Sequence, residues 1–591
     1  MSIERRIDPF MMSVLKSRFE AIVREMTLVV QRASRSAVIK NARDFSCAIV
    51  TIDNQLVTTE DALAIHVMSM DHATKSIGEL FDDIKPGDMF LNNSPYHGGT
   101  HHADFIIAMP VFYQGEALFW AVALSHHADV GAPVPSTYLP FAKTIYEEGV
   151  HFPCVRLVEN YQEKKDIIRI GQAKIRVPEL WLGDLRAQMG ACLTGEKRIG
   201  ELFERYGRED IMNFVQDWFD YGERMAIAEI QKLPAGTWHY ETAHDPVPGV
   251  YEESIPVRVT MTVKPEEGEI IMDVRDNIDN VAGGINLTEN TTTGSCRIGV
   301  FNNLADNLPH NEGAKRRVKV LMREGSVVGK PKYPAGTSVA TTNVNDRLIT
   351  ASNCVFSGMG APYGQAEGGG HLPAGIGVIS GHDPARRKDY VNQIFLGYAG
   401  GGALCGHDGW LTYCGGANGG LISLDSVEVD ESMYPIVIEK RGVIPDSQGF
   451  GEYEGAPGVG GVFYPIDHQM TLIYAADGTH NPPQGVNGGL AAKPSYTHLV
   501  ASDNSVTVLP AFYELQCAAG QKVAYTSCGG GGYGDPLERK PESVARSVNR
   551  GWLSAENARN IYKVALNYDE NACIYVVDTL VTQQLRENAA S

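Results

Sequence analysis

Two apolar runs, FIIAMPVF at residues 105–112 and ALFWAVAL at 117–124, are separated only by Tyr113-Gln114-Gly115-Glu116. Glycine is the residue that tight reversals favour, so the pair predicts an antiparallel β-hairpin turning at Gln114-Gly115. Such a hairpin sets its own register. Counted outward from Gly115, Asp104 lies eleven residues before the turn and His126 eleven after it, so the two are expected to face each other at the open end. Directly opposed residues have Cα atoms about 4.5–5.5 Å apart, close enough to share one ion. The tetrapeptide His-His-Ala-Asp stands at both ends of this hairpin, as residues 101–104 and 126–129.

His101 precedes Asp104 by three residues inside GGTHHAD, where a glycine-rich backbone can fold the imidazole back toward the carboxylate. Asp44, at the mouth of the run FSCAIVT (45–51), needs only to lie alongside the hairpin to join them. The candidate metal ligands are therefore Asp44, His101, Asp104 and His126. Two imidazoles and two carboxylates suit a borderline divalent ion, Zn, Mn or Fe(II), with zinc and manganese favoured, whereas an all-oxygen set would point to Mg or Ca. Taken singly, His101, His102, His126 and His127 read equally well as polar loop residues. Repetition of the motif at both ends of one hairpin is what favours a site. His102 and His127 are candidates for supporting or proton-transfer roles.

At 591 residues the chain exceeds what one core organises, and 62 glycines with 30 prolines argue for many turns between short strands. A net charge of −20, interrupted only by short basic clusters such as KRR at 315–317, disfavours nucleic acid as a partner. The sequence shows neither a secretory leader nor an apolar stretch of about 18 residues, so no membrane is expected and the cytoplasm is the expected location. Ten cysteines without a CxxC pair suit a reduced compartment, with Cys405 and Cys414, near glycine-rich turns, expected to be the more exposed.

Periodicity predicts a helix from Pro9 to about Ser34, with Asp8 as N-cap and Leu15, Phe19, Ile22, Met26 and Val29 or Val30 on its apolar face. A sheet is expected over 44–130, helices over 176–232, strands from Gly236 to about Asp276 and from Tyr434 to about Val523, one helix around 293–303, and two small helices joined at Gly551. The expected fold is an α+β, interwoven multi-sheet protein with short antiparallel strands, glycine-rich turns and peripheral helices. Its expected segments are 1–175 (N-terminal helix and metal-site sheet), 176–235 (helical), 236–430 (Gly/Asn-rich core), 431–535 (β-rich) and 536–591 (C-terminal helices), interlocked in one or two compact domains.

Several motifs together carry a resemblance: RDFSCAI (43–49), NSPYHGGTHHAD (93–104), SHHADVGA (125–132), IYEEGV (145–150), GDLRAQ (183–188), GAPGVGG (455–461) and GGGGYGDP (529–536). The chain resembles the hydantoinase B/oxoprolinase family, which includes B-type subunits of ATP-dependent N-methylhydantoinases and caprolactamase, and related subunits of acetone and acetophenone carboxylases. The resemblance places the family's HxxD-plus-downstream-histidine metal set on His101, Asp104 and His126, and its RDFSCA aspartate on Asp44. Where the family usually reads N-D-P-Y, this chain has Asn93-Ser94-Pro95-Tyr96.

The resemblance also implies a hetero-oligomer, in which a separate hydantoinase A-like subunit binds ATP and phosphorylates the substrate's carbonyl oxygen. This chain has no GxxxxGK[ST]; GSVVGKPK has the wrong spacing and puts Pro331 where a hydroxyl is needed. The expected activity is that of a B-type subunit of a cyclic-amide hydrolase acting on a hydantoin, lactam or oxoproline-like ring. One alternative is the corresponding subunit of a ketone carboxylase; another, of a different class, is a non-catalytic scaffold for the ATP-binding subunit. His127 and Glu148 are the catalytic candidates for moving a proton, Glu148 reading equally as a structural ion pair. GGGGYGDP is expected to be a tight structural turn, and Asn343, Asn345 and Arg347 are candidates for lining a substrate pocket.

Overall fold

In the computed structural model, which describes residues 7–59, 63–370, 373–413 and 415–590, the expected hairpin is the centre of a seven-stranded sheet. Its strands are β1 (Phe45–Thr51), β2 (Leu56–Thr59), β3 (Met89–Asn92), β4 (Asp104–Tyr113), β5 (Glu116–His126), β6 (Val155–Glu159) and β7 (Gln162–Glu163). They lie in the order β2-β1-β5-β4-β3-β6-β7, and each neighbouring pair is antiparallel.

Asp104 pairs with His126 as the symmetrical count requires, but an irregularity makes it so. At the turn Tyr113 pairs with Glu116 and Phe112 with Ala117, a frame that, continued unchanged, would set Ser125 opposite Asp104. Leu118 has no partner between Ala117 and Phe119, and this bulge advances β5 by one residue. Because side chains alternate with period two, one residue decides which of them faces the site. The bulge is part of the site's construction.

Alternation divides β4 and β5 between two apolar clusters. Phe105, Ile107, Met109, Phe119, Ala121 and Ala123 join the larger core, while Ile106, Ala108, Trp120, Val122 and Leu124 join a separate one on the other face. Covering the larger face, the helix Pro9–Ala33 starts with Asp8 accepting from the Phe10 amide and buries Leu15, Phe19, Ile22, Met26 and Val30. Phe19 bridges the layers, its ring 5.8 Å from Phe119 on β5 and 5.3 Å from Phe214 on the long helical arm Pro178–Ile230. That arm is two helices meeting at Gly207, whose φ of 78° suits glycine. The helix expected near 293–303 is Glu289–Phe301, set one turn earlier by the Thr288–Thr291 capping box.

The second half is an α+β arrangement of smaller sheets. Strands Val378–Asp383 and Lys388–Gln393 share one sheet with Met470–Ala475 and Phe512–Cys517, so segments on either side of residue 430 interleave. The expected tight turn at Gly529–Gly532 is instead a threaded segment. A Cβ at Gly530 would lie 1.9 Å from the Gly401 carbonyl oxygen, one at Gly531 2.1 Å from that of Gln484, and one at Gly532 2.2 Å from that of Phe450. Glycine here serves the close passage of four backbones rather than a reversal. Cys405 is half-buried and Cys573 exposed; Cys414 lies outside the described residues. Among the described residues, no helix is long and apolar enough to cross a membrane.

Ahead of the strand Ile436–Val443, Asp425 and Asp430 are buried together, Asp425 Oδ2 accepting from the Phe395 amide at 2.9 Å. Burial pushes Asp430 up to about 8, with the Asp425 carboxylate adding to the shift, and pushes Asp425 to about 6. Folding thus favours the protonated carboxyl, a contribution fully present below the ordinary Asp range and lost as pH rises through the folded values. Asp430→Asn is expected to gain Tm over the native chain as pH rises from about 4, levelling off above about 8, in calorimetric scans. A pH-independent difference would contradict the buried proton.

Candidate metal centre

β1 lies beside β5 with Phe45 opposite Ser125, and the His126 amide donates to the Asp44 carbonyl oxygen at 3.0 Å. Asp44, His126 and Asp104 therefore stand side by side across three strand ends. The turn before β4 brings in the fourth residue: the Asp104 amide donates to the His101 carbonyl oxygen at 3.2 Å, and His101 Nε2 comes to 3.1 Å from Asp104 Oδ1. His126 Nδ1 approaches the same oxygen to 3.4 Å. The ligand atoms of His101, Asp104 and His126 all lie within 4.8 Å of one another, and all three residues are buried. Asp44 lines the same cavity, outside that group of three.

Hydrogen bonds fix what each ring presents. His101 Nδ1 is 2.8 Å from the Ser338 carbonyl oxygen, which can only accept, so Nδ1 carries a proton and Nε2 is the atom that faces Asp104. His126 Nε2 is 3.2 Å from Thr137 Oγ1, leaving Nδ1 to face the carboxylate. Both nitrogens thus converge on the single oxygen Asp104 Oδ1. Electron-rich atoms buried together in this way require a positive charge among them, either a proton or a cation.

The electrostatics carry the same requirement. Burial alone would lower the pKa of His101, but the Asp104 carboxylate outweighs it and raises it. Burial alone would raise that of Asp104, but His101, with His126 and His66, holds it well below the usual range. Asp44, for which desolvation dominates, is raised. A divalent cation bound at about 2.0–2.2 Å by each ligand needs donor atoms roughly 3.0–3.4 Å apart. The observed separations from Asp104 Oδ1, 3.1 and 3.4 Å, fit.

A third imidazole completes the arrangement. Asp104 Oδ2 accepts from Thr100 Oγ1 and has His66 Nε2 at 3.4 Å, while His66 Nδ1 is 2.9 Å from Ser46 Oγ. These groups hold one carboxylate oxygen and leave the other facing His101 and His126. His66, on the short helix Ala64–Val67, has no repeated motif around it and no pattern that would single it out in the sequence.

Glu148 and His127 stand close to the centre but neither lines its cavity. The Glu148 carboxylate accepts from the Thr337 amide and lies 2.6 Å from His102 Nδ1, so it braces the turn whose next residue, Ser338, orients His101. His127 packs its ring 4.4 Å from Phe105 and pairs Nε2 with Gln188 Oε1 at 3.0 Å, on the side of the sheet facing the long helix. Gln188 in turn donates to the carbonyl oxygens of Phe105 and Ala123 at 2.6 and 3.1 Å. Of the TTNVNDRL residues, Thr341 and Thr342 line the cavity. Asn343 donates to the Ala475 carbonyl oxygen, Asn345 accepts from Ser295, and Arg347 is paired with Asp477 and Glu367.

The family model for hydantoinase B/oxoprolinase matches residues 8–536. The chain belongs to the hydantoinase B/oxoprolinase family. Caprolactamase subunit beta of Pseudomonas jessenii is 31% identical over 572 residues, 95% of this chain and 97% of that protein. The acetophenone carboxylase delta subunit of Aromatoleum aromaticum is 25% identical over 642 residues, 99% of this chain and 90% of that protein. The crystal structure of ATP-dependent caprolactamase from Pseudomonas jessenii matches with a TM-score of 0.88 at 27% identity, over 98% of this chain and all of that one. This hydantoinase B-family chain thus shares its fold nearly end to end with an ATP-dependent enzyme.

Removing ligands and removing their supports should separate cleanly. In calorimetric titration of chelator-stripped chain with Zn²⁺ or Mn²⁺, His101→Ala should abolish binding and His66→Ala should weaken it about 10–100-fold. His127→Gln should stay within about threefold of the native chain, since His127 touches the helix side of the sheet. Equal effects at His101 and His127 would contradict this assignment.

Proposed function

We propose that this chain is the cation-holding subunit of an ATP-dependent complex that opens a cyclic amide: a hydantoin, lactam or oxoproline-like ring. In this reading a separate hydantoinase A-like subunit binds ATP and phosphorylates the substrate's carbonyl oxygen, and the assembly is a cytoplasmic hetero-oligomer. The observation that carries it is the buried cluster in which Asp104 Oδ1 faces His101 Nε2 at 3.1 Å and His126 Nδ1 at 3.4 Å. A zinc or manganese ion held by His101, Asp104 and His126, with Asp44 beside them, supplies Lewis-acid polarisation of a carbonyl or water oxygen.

The remaining work belongs to the chain's own residues. Ser338 sets the His101 tautomer, Thr100 and His66 orient Asp104, and Glu148 holds the turn that carries Ser338. His127 packs with Gln188 on the helix side of the sheet. Glu148 acts in this scheme as a positioning residue. The cavity that the candidate ligands line, about 20 Å³, has room for about one water. Absence of a GxxxxGK[ST] motif fits ATP being bound by the other subunit. A second reading, the equivalent subunit of a ketone carboxylase, is favoured by the acetophenone carboxylase relative, which spans 99% of this chain.

Reconstituting the chain with an A-type subunit, and supplying ATP, labelled bicarbonate and a panel of hydantoins, lactams, 5-oxoproline and ketones, discriminates among these. Ring opening that needs ATP but not bicarbonate, and that falls at least 100-fold in His126→Ala while the complex still forms, is expected. Label incorporated into a keto acid would replace the hydrolase with the carboxylase. Unchanged turnover in His126→Ala would leave the chain a scaffold.

A further inference from the structure

Away from the cation ligands, one strand is left open along its outer side. Val318–Leu321 is the edge of a four-stranded sheet and runs parallel to its neighbour Glu269–Asp273. The Ile270 amide donates to the Arg317 carbonyl oxygen at 3.0 Å and the Val274 amide to that of Leu321 at 2.9 Å, so residues 317, 319 and 321 face the sheet. The backbone groups of Val318 and Val320 therefore point outward, and they meet no hydrogen-bond partner among the described residues. Opposite stands the helix Glu289–Phe301, and a groove of about 380 Å³ separates the two. Val318, Val320 and Leu321 form its strand wall; Glu289, Thr293 and Arg297, four residues apart along one face, form its helix wall.

Charge narrows what can lie there. Arg297 spends Nη1 on the Met68 carbonyl oxygen and on Asp71, whereas its Nε and Nη2 meet no acceptor among the described residues. Asp71 is shared, since Lys315 Nζ also donates to it at 2.6 Å. Arg275, paired with Asp273, brings a second guanidinium to the groove, against the single carboxylate of Glu289, which Lys330 already meets at 3.2 Å. In a chain of net charge −20, residues 315–332 hold seven Lys and Arg and one acidic residue, Glu324. Carboxylates are attracted to such a place and lysines are not. The outward backbone groups of Val318 and Val320 recur two residues apart, about 6.6 Å, which is the spacing of another strand and not of a small anion.

We propose that this groove takes an extended, carboxylate-bearing segment of the ATP-binding partner subunit, which adds a fifth strand beside Val318–Leu321 and sets an acidic side chain against Arg297. The proposal rests on the partner subunit proposed above. Main-chain hydrogen bonds to Val318 and Val320 supply the attachment, and the arginines choose the side chains. Docking also covers an edge that is otherwise open to unwanted pairing.

Amide exchange read residue by residue by mass spectrometry, with the chain alone and then reconstituted with an A-type subunit, tests this. On assembly the Val318 and Val320 amides are expected to slow by about tenfold or more, while those of Lys319 and Leu321, which face the sheet, change little. Val320→Pro deletes one outward donor at an edge where proline is tolerated, and should weaken assembly about tenfold with Tm within about 3 °C of native. Arg275→Glu should weaken it about threefold, an effect that shrinks in high salt. A complex that forms with both amides still exchanging at the free-chain rate, or with native affinity in Val320→Pro, would overturn the docking surface and leave the proposed complex standing. Two chains that never associate would sink the complex and this surface together. Slowing in the chain alone that grows with its concentration would give the edge to a second copy and overturn the proposal as well.

Discussion

A buried carboxylate whose one oxygen faces two imidazole nitrogens is the constraint around which this fold is arranged. Asp104 cannot hold that position as a bare charge, because desolvation opposes it, and the imidazoles packed against it hold its pKa well below the usual range. The structure meets the demand in parts. Thr100 and His66 satisfy Oδ2, the Ser338 carbonyl fixes the ring of His101, and the Leu118 bulge brings His126 rather than Ser125 opposite the carboxylate. Each part comes from a different stretch of chain. The centre is therefore complete only when the N-terminal sheet has docked against residues 337–342 and the segments around Gln393 and Asn418.

That dependence explains the interlocking. The tetraglycine thread at 529–532 passes against the backbones of Gly401, Phe450 and Gln484 at distances no side chain would allow. Glycine abundance, which signals turns when read alone, here reflects backbone-to-backbone packing. Close packing of this kind leaves little freedom for loops to shift independently. It suits a site whose ligand atoms must keep their mutual distances to within tenths of an ångström.

Local pattern made the hairpin, the N-terminal helix and the pairing of Asp104 with His126 legible, since each follows from period-two or 3.6-residue alternation. The Leu118 bulge was not legible, because apolar residues run through the strand without a break in composition. His66 escaped because its contact with Asp104 is made by tertiary packing, 38 residues away in a segment with no motif. Glu148 was picked out by its place in IYEEGV, but its partner, the Thr337 amide, is 189 residues distant, and only the fold shows that it braces rather than touches the centre. Tyr138, which lines the same cavity with its ring 5.7 Å from that of His126, sits in an irregular, proline-containing stretch that no periodicity describes.

Anomalous diffraction at the zinc or manganese edge, on crystals of the full chain saturated with that metal, asks the decisive question. One scatterer should lie about 2.0–2.2 Å from His101 Nε2, His126 Nδ1 and Asp104 Oδ1 together. A metal-saturated crystal with no scatterer among those three atoms, and Asp104 Oδ1 instead accepting a hydrogen bond from a doubly protonated His101, would show that a proton alone supplies the charge this fold requires.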